Sequence, residues 1–370
     1  MQHLDDLLKI LRDNNASDLH LKVDTRPLMR VNGVLQYIDT CGAINSDLME
    51  QFFREITSEK QREFFDRDKE LDFSYADGPI GRFRFSAYIQ RGTLCLTCRL
   101  IQTNIPTIDD LLLPNVCKEL ALKNSGLILI CGPTGCGKST TLAAMIGYMN
   151  EKTKKMVITI EDPIEYLHQD KLCSFSQREV GMDTQSFSSA IRHALRQDPD
   201  VLLIGEMRDL DSISNTLTAA ETGHLVLTTL HTPNVVNAID RIIDVFPPHQ
   251  QEQVRVQLAD ILAGVIYQKL IPTTDGAGRV VACEVMLNNQ AVSNLIRSKK
   301  NYQLLTVIQS ASEKGMQTLD DAIFKLHKEG RISREEALAS CVDRLQLKDR
   351  MTQRGSSASA NNHAWTNNAN

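Results

Sequence analysis

Residues 132–139 carry the clearest chemical signal in the sequence, because they match the pattern G-x4-G-K-[ST]. They follow the apolar run Leu127–Ile130 and precede a helix-like segment, which is the setting of a phosphate-binding loop. In such a loop backbone N–H groups surround phosphate oxygens, Lys138 reaches the β- and γ-phosphates, and the Ser139 hydroxyl binds Mg²⁺. The predicted nucleotide-binding residues are Gly132, Pro133, Thr134, Gly135, Cys136, Gly137, Lys138, Ser139 and Thr140. The pattern therefore predicts binding of a nucleoside triphosphate.

Acidic residues follow two further apolar segments that are predicted to be parallel strands. Glu161 follows the run Val157–Ile160, and Glu206 stands shortly after the run Val201–Ile204. Ligands of an open parallel sheet lie beyond the carboxyl ends of its strands, so both carboxylates are predicted to face the γ-phosphate. Glu206 is the candidate catalytic residue that orients or deprotonates the attacking water.

The metal ligands are indicated less directly, because Gly205 stands where many such strands place a magnesium-coordinating aspartate. Ser139 is the predicted Mg²⁺ ligand, and Glu161 and Glu206 are candidates to hold the ion through water. Glu161 is also a candidate for direct coordination. A second interpretation makes Glu161 a carboxylate at the start of a helix, where the helix dipole favours negative charge.

Two histidines flank the fourth predicted strand, Leu225–Thr228. Seven extended steps between His224 and His231 span about 23 Å, so both cannot contact one γ-phosphate. His231 lies at the predicted ligand end and is the candidate sensor of bound phosphate, with a core or structural role as the alternative. For His224, at the opposite rim, the structural role is favoured.

Three arginines form a row in the first third of the chain. Alternation along residues 81–86 places Arg82 and Arg84 on one face of a predicted strand, and Arg99 shares a face with Thr97 on the next strand. Such a row is either a solvated sheet face or, if the protein assembles in a ring, a set of side chains that reach a neighbour's triphosphate.

Composition excludes several classes of protein. The 370 residues include 42% apolar and 24% charged residues and carry a formal net charge of −5, which is typical of a globular protein and unlike a general nucleic-acid binder. No apolar run approaches the roughly 18 residues that span a bilayer.

Nine cysteines without framework spacing favour a reducing cytosol. The pair Cys95 and Cys98 falls on opposite faces of a predicted strand, which favours packing over metal binding.

The order of elements predicts an α+β domain followed by an α/β domain with a parallel sheet. Asn32-Gly33 indicates a hairpin, and residues 46–65 read as one helix capped by Ser46. The predicted divisions are an N-terminal domain at 1–101, a linker at 102–117, an ATPase-like core at 118–287, a helical subdomain at 288–350 and a disordered tail at 351–370.

Taken together, these motifs resemble those of the secretion-type ATPases that drive type IV pili, in particular the PilT/PilU retraction family. The resemblance runs from about Ala16 to Leu347. The segments that carry it are 16–21, 81–84, the phosphate loop, 160–165 as the aspartate box, 203–206 as the Walker B motif, and 221–224 through 230–232 as the histidine box.

The resemblance implies a PAS-like N-terminal domain, a RecA-like ATPase domain, ATP and Mg²⁺ as ligands, and a homohexameric ring with ATP between subunits. It also implies that Arg82, Arg84 and Arg99 act in trans on the nucleotide. The ring would be cytoplasmic and peripheral at the inner face of the membrane, bound to the platform protein of the pilus, with no nucleic-acid partner.

Three features look more like the PilU branch, whose members generally act alongside a PilT-type paralogue. They are residues 291–298, where serine stands at the third and eighth positions in place of arginine and glutamate, residues 246–248, and the extended C-terminal tail. The expected function is therefore an ATP-hydrolysing motor that powers or assists pilus retraction. The alternatives are an ATP-binding regulatory or scaffolding paralogue of the retraction motor and a secretion-type traffic ATPase.

Overall fold

A computed structural model describes residues 3–14, 16–31, 33–78, 80–101, 104–276 and 278–353. The chain divides into two units. The first comprises Met1–Asn104 together with Pro163–Leu167, and the second comprises Ile105–Asp162 together with His168–Asn370.

In the first unit three helices accompany a six-stranded antiparallel sheet of order β3-β2-β1-β6-β5-β4. The apolar side of the sheet and the leucine stripe of the first helix share one core, in which Phe52, Phe83 and Phe85 are fully buried. The elements are α1 (Leu4–Asp13), β1 (Asp18–Lys22), β2 (Leu28–Val31), β3 (Val34–Tyr37), α2 (Ser46–Ile56), α3 (Glu59–Asp68), β4 (Glu70–Asp77), β5 (Gly81–Gln90) and β6 (Thr93–Leu100).

The prediction of one helix over residues 46–65 is wrong, because the chain leaves the helical conformation at Thr57. Ser58 then starts α3 with a capping box, in which its hydroxyl accepts from the Gln61 amide and the Gln61 side chain accepts from the Ser58 amide. The cap of α2 is Asn45 and not Ser46, since the Asn45 side chain accepts from the Leu48 amide.

The second unit is built on a seven-stranded sheet of order β13-β12-β7-β11-β10-β8-β9, in which all pairs are parallel except β12 with β13. The first part of the unit contains α4 (Val116–Ala121), β7 (Gly126–Cys131), α5 (Lys138–Lys152), β8 (Met156–Glu161), β9 (Ser174–Glu179), α6 (Phe187–Ala194), β10 (Val201–Ile204), α7 (Leu210–Glu221) and β11 (Leu225–Leu230). The remainder contains α8 (Val235–Asp244), α9 (Gln251–Ile261), β12 (Leu262–Pro272), β13 (Arg279–Leu287), α10 (Gln290–Arg297), α11 (Leu304–Ser310), α12 (Leu319–Lys328), α13 (Arg334–Ser340) and α14 (Arg344–Gln353).

The predicted α/β fold class is confirmed, and the four predicted strands are β7, β8, β10 and β11. Their side chains are almost all buried, as expected for strands that are covered by helices on both faces. Apolar clusters lie on both sides of the sheet, one against α5 and the other against α6, α7 and α8.

The segments at the predicted boundaries have their own structure. Within the predicted linker, Ile108 and Leu113 are buried and α4 begins at Val116, whereas residues 102 and 103 lie outside the described residues. The predicted disordered tail starts inside α14, which continues to Gln353, and its residues 354–370 lie outside the described residues. Within the part of the chain that the structure describes, no helix is both long and apolar enough to cross a bilayer.

Candidate active site

The phosphate loop connects the end of β7 to the start of α5, as predicted from its strand–loop–helix setting. Gly132 and Gly137 adopt φ angles of +145° and +88°, which favour glycine. A Cβ atom on Gly132 would lie 2.5 Å from the backbone oxygen of Gln268, so the loop passes too close to β12 for any larger residue. The 15-residue helix α5 begins directly after the loop, so its first backbone N–H groups and the positive end of its dipole lie at the loop, which is the arrangement that binds phosphate.

Lys138 is buried at the first position of α5, and its ammonium group is held by the loop itself. Its Nζ donates to the carbonyl oxygens of Gly132 and Pro133, both at 3.0 Å, and lies 3.4 Å from Nδ1 of His231. An ammonium group only donates, so Nδ1 of His231 is the acceptor and the ring proton belongs on Nε2. The lysine is thus kept beside the loop by partners that a phosphate can replace.

His231 links this lysine to Glu206, because its Nε2 lies 3.5 Å from a Glu206 carboxylate oxygen. Burial lowers the pKa of His231, and the positive charge of Lys138 lowers it further. The imidazole is therefore neutral at neutral pH, with its Nε2–H directed to Glu206. The structure brings together the three predicted residues Lys138, His231 and Glu206.

Arg208 is a fourth member of this cluster. Its guanidinium forms an ion pair with the Glu206 carboxylate and lies 3.5 Å from Asp162. The Glu206 side chain is largely buried, at 18% exposure, so the pair lies where water screens charge only partly. Glu206 is consequently held between a neutral imidazole and a cation.

Glu161 is the last residue of β8, so it does not begin a helix as the second interpretation had it. Its carboxylate accepts hydrogen bonds from Thr159 at 2.7 Å and from Gln177 at 3.3 Å, and these fix its orientation at the strand end. Gly205 follows β10 beside it, and a Cβ there would lie 3.4 Å from the Glu161 Cα. Such a distance is an ordinary van der Waals contact, so the packing against β8 does not by itself require glycine at this position.

His224 lies at the other end of β11, where its Nδ1 is 2.9 Å from the Ala219 carbonyl and 3.1 Å from the Thr222 hydroxyl. Both partners belong to the C-terminal end of α7. The side chain therefore holds the turn between α7 and β11, in line with the structural role that was favoured.

The predicted arginines all belong to the first unit, on β5 and β6. Arg84 and Arg99 are directly paired across the two strands, so they share one face. Arg99 donates to Asp18 at 2.8–2.9 Å, and Arg84 lies 3.9 Å from Asp72. Arg84 and Arg99 also line an open cavity of about 190 Å³, to which the segment Pro163–Tyr166 of the same unit contributes the opposite lining.

Comparison with known proteins agrees with this architecture. The model of the family described as type II/IV secretion system protein matches residues 109–339. The chain is 42% identical over 333 residues to the type IV pilus ATPase PilU of Pseudomonas aeruginosa, covering 90% of this chain and 87% of the relative. The chain belongs to this family. The predicted resemblance to the PilT/PilU ATPases is confirmed, and the chain is an ATPase.

Two further relatives are similar over almost their whole length. The type IV pilus retraction ATPase PilT of Pseudomonas aeruginosa is 43% identical over 332 residues, which cover 90% of this chain and 96% of the relative. A crystal structure of the pilus retraction motor PilT with bound ADP superimposes with a TM-score of 0.88 at 41% identity, covering 94% of this chain and 100% of the other. PilU and PilT are thus about equally similar to this chain in identity.

Sequence reasoning missed two residues of this ATPase site. Arg208 stands two positions after Glu206, so its place beside a predicted strand end was a signal that could have been used. Gln268 lies on β12, a strand that was not predicted. Its side chain donates to the carbonyl of Cys136 in the phosphate loop, 132 positions earlier in the chain. Its only local signal is a polar residue inside the otherwise mostly apolar run 262–271.

Proposed function

We propose that this chain is the ATP-hydrolysing subunit of a homohexameric motor for type IV pilus retraction, acting as an accessory PilU-type ATPase beside a PilT-type paralogue. The observation that carries the enzymatic part is the linked cluster of Lys138, His231 and Glu206 at the phosphate loop. A scaffold that only holds ATP has no need for a buried carboxylate oriented by a neutral imidazole.

In the proposed mechanism Lys138 leaves the loop carbonyls and binds the β- and γ-phosphates. Glu206 then orients the attacking water and accepts its proton, while the Nε2–H of His231 holds the carboxylate in place. His231 is positioned to report a bound γ-phosphate, since any movement of Lys138 changes the hydrogen bond at its Nδ1. Arg82, Arg84 and Arg99 supply positive charge to the nucleotide of a neighbouring subunit.

The residues fit Mg²⁺ as a partner of the nucleotide. Among the described residues no cluster of three or more histidine, cysteine, aspartate or glutamate side chains could cage a metal. Mg²⁺ rarely needs such a cage, because it is usually bound by one or two protein oxygens together with substrate phosphates and water. The Ser139 hydroxyl would hold the ion directly, and Glu161 and Glu206 through water. The bound ion would neutralise charge on the phosphates.

One observation in α10 favours the PilU-type assignment. Ser293 is buried, and its hydroxyl lies 2.9 Å from the Ala259 carbonyl oxygen and 3.0 Å from the Asn288 side-chain oxygen, either of which can accept its one proton. An arginine at this position, as in the PilT pattern, would lose the contacts that the Ser293 hydroxyl makes with Ala259 and Asn288. We place the ring in the cytoplasm, peripheral at the inner face of the membrane and in contact with the pilus platform protein.

The decisive test of the enzymatic proposal is steady phosphate release from ATP by the purified protein and by its Lys138→Ala variant. We expect multiple turnovers for the wild type and none for the variant. Binding of ATP without turnover by the folded wild-type protein would favour the regulatory paralogue instead.

The cellular role is tested with deletion strains that lack this gene, its PilT-type paralogue, or both, scored for retraction force and twitching. We expect reduced retraction force in the single deletion of this gene and no defect in protein export. An export defect with normal retraction would favour the secretion-type traffic ATPase.

A further inference from the structure

Gln268 lies on β12 beside the first residue of the phosphate loop. The strand register pairs Tyr267 with Cys131, the last residue of β7, so β12 continues past the point where β7 gives way to the loop. The Gln268 side chain is only 1% exposed. Its Nε2 donates to the carbonyl oxygen of Cys136 at 2.6 Å, and its Oε1 accepts from the Thr141 hydroxyl at 2.9 Å. One carboxamide therefore contacts both the loop and the first turn of α5.

The two glycines that bracket the loop make room for this contact. A Cβ on Gly132 would meet the backbone oxygen of Gln268 at 2.5 Å, and a Cβ on Gly137 would meet its Nε2 at 3.3 Å. The first distance is forbidden, and the second requires Gln268 to move. The motif glycines and the β12 amide are thus parts of one packing arrangement.

The contact also determines which way a loop peptide faces. The carbonyl of Cys136 and the N–H of Gly137 belong to the same planar trans peptide, so they point in opposite directions. When Gln268 holds the carbonyl, the N–H is turned away from β12. Backbone N–H groups of such loops are the groups that bind phosphate oxygens. Gly137 has no Cβ, so its own backbone offers little resistance to rotation of that peptide.

We propose that Gln268 is a positioning residue for the nucleotide phosphates, which fixes the Cys136–Gly137 peptide so that the Gly137 N–H faces the anion. This role rests on the proposed nucleotide site at the loop. It needs a side chain that donates to one group and accepts from another, which a carboxamide does. The ionised carboxylate of a glutamate has the same shape but only accepts hydrogen bonds, so it would repel the Cys136 carbonyl oxygen. The thioether of a methionine has a similar length and can make neither hydrogen bond.

The first test measures the dissociation constant for ADP without Mg²⁺, alongside the melting temperature. Gln268→Met is expected to weaken ADP binding by about 10- to 100-fold, the effect of one or two lost buried hydrogen bonds. The matched control is Gln317→Met, because the Gln317 amide also donates to a backbone carbonyl of this unit, that of Cys283 at 2.8 Å. The control is expected to change ADP affinity less than about twofold.

A second test uses pH and would not respond to a merely structural role. At pH 8 the carboxylate in Gln268→Glu is expected to weaken ADP binding at least as much as Gln268→Met. Burial raises the pKa of a carboxyl group, and its protonated form donates and accepts as the carboxamide does. ADP affinity relative to wild type at the same pH should therefore recover about tenfold as the pH falls towards 5. Gln268→Met should show no recovery.

If the Gln268 variants do not fold, Thr141→Val tests the same bridge from its other end and should weaken ADP binding at least about threefold, while Thr141→Ser preserves it. Wild-type ADP affinity in folded Gln268→Met, or an equal loss in Gln317→Met, overturns the role of Gln268. Lys138→Ala separates this from the proposed function. If Lys138→Ala also bound ADP normally, the nucleotide site itself would lie elsewhere.

Discussion

The two units of the chain hold their charged side chains in different ways. In the second unit Lys138, His231, Glu206 and Arg208 form one connected cluster beside the phosphate loop, with Lys138 and Glu206 largely buried. In the first unit the arginines lie on an exposed sheet face. The Arg99 side chain is 65% exposed although it contacts Asp18, and the Arg84 side chain is 41% exposed.

This difference indicates a division of labour. Groups fixed in a partly water-excluded cluster need little reorganisation when charge develops in the transition state, which is the main requirement for phosphoryl transfer. Exposed ion pairs contribute little to stability, so Arg84 can leave Asp72 at almost no cost in free energy. The second unit thus has the properties of a preformed centre, whereas the first presents exposed positive charge that is weakly held.

The largest expected effect tests the catalytic centre. Glu206→Gln should lower kcat for ATP hydrolysis by about 10³-fold or more, because the amide cannot accept the proton of the attacking water, while ADP affinity stays near wild type. Phosphate release and equilibrium ADP binding measure the two quantities. The control is Glu151→Gln on α5, whose carboxylate pairs with Lys171 at the surface. A rate near wild type in Glu206→Gln would remove Glu206 from the mechanism.

Local patterns were sufficient to predict where the residues of the loop and of the strand ends lie. The glycines, lysine and serine of the loop are adjacent in the chain, and Glu161, Glu206 and His231 follow apolar runs whose ends must meet at one edge of a parallel sheet. Gln268 could not be predicted in this way. Its contact with the loop depends on which strand lies beside which, and β12 is joined to β7 through a pairing between segments more than 100 positions apart.

Two further features of the fold were not predicted from the sequence. β9 reads Ser-Phe-Ser-Gln-Arg-Glu and forms the edge of the sheet, so it lacks the apolar run that revealed the inner strands. The division between α2 and α3 depends on the capping box at Ser58, which competes with an otherwise uninterrupted helical pattern. Both features are formed by segments rich in polar side chains, which the search for apolar runs and helical stripes does not detect.

The next prediction tests whether the first unit supplies charge in trans. Arg84→Ala should lower the rate of ATP hydrolysis by at least about tenfold. The loss should be smaller than that caused by removing a single, unsupported arginine finger, because Arg82 and Arg99 remain. Mixing Arg84→Ala subunits with inactive Lys138→Ala subunits should restore part of the activity, since each proposed site draws on two chains. Activity is measured across mixing ratios, with ring assembly checked by size. No recovery at any ratio in intact rings would exclude action between subunits.

A smaller effect is expected from the histidine in the centre. Its pKa is lowered by burial and by Lys138, so the neutral imidazole persists until the pH falls below the ordinary value of about 6.5. Titration of His231 should therefore leave the wild-type kcat/KM unchanged between pH 7 and 8. The kcat/KM should fall only in more acidic solution, where His231 becomes protonated. His231→Gln keeps a donor for Glu206 and should lower kcat about tenfold without that acidic decline. An unchanged acidic decline in the variant would assign it to another group.

The smallest effect concerns the ion pair that anchors one arginine of the row. Partial burial alone would raise the pKa of Asp18, but hydrogen bonds from Ser17 and Arg99 outweigh it and lower the pKa. The ionised Asp18 therefore stabilises the fold at neutral pH, and this contribution disappears as the pH falls through the lowered pKa. Asp18→Asn should reduce the free energy of unfolding by about 1 kcal/mol at pH 7, measured by urea denaturation, with a smaller difference in acid.

The matched control for that measurement is Asp68→Asn, which removes the exposed pair between Asp68 and its neighbour Arg67. Solvent screens this pair fully, so no measurable change is expected at any pH. If Asp18→Asn also left stability unchanged, the ion pair between Asp18 and Arg99 would not stabilise the fold. Arg99 would then belong with Arg84 to the exposed, weakly held charge of the first unit, and the contrast between the two units would be sharper than the contacts of Arg99 suggest.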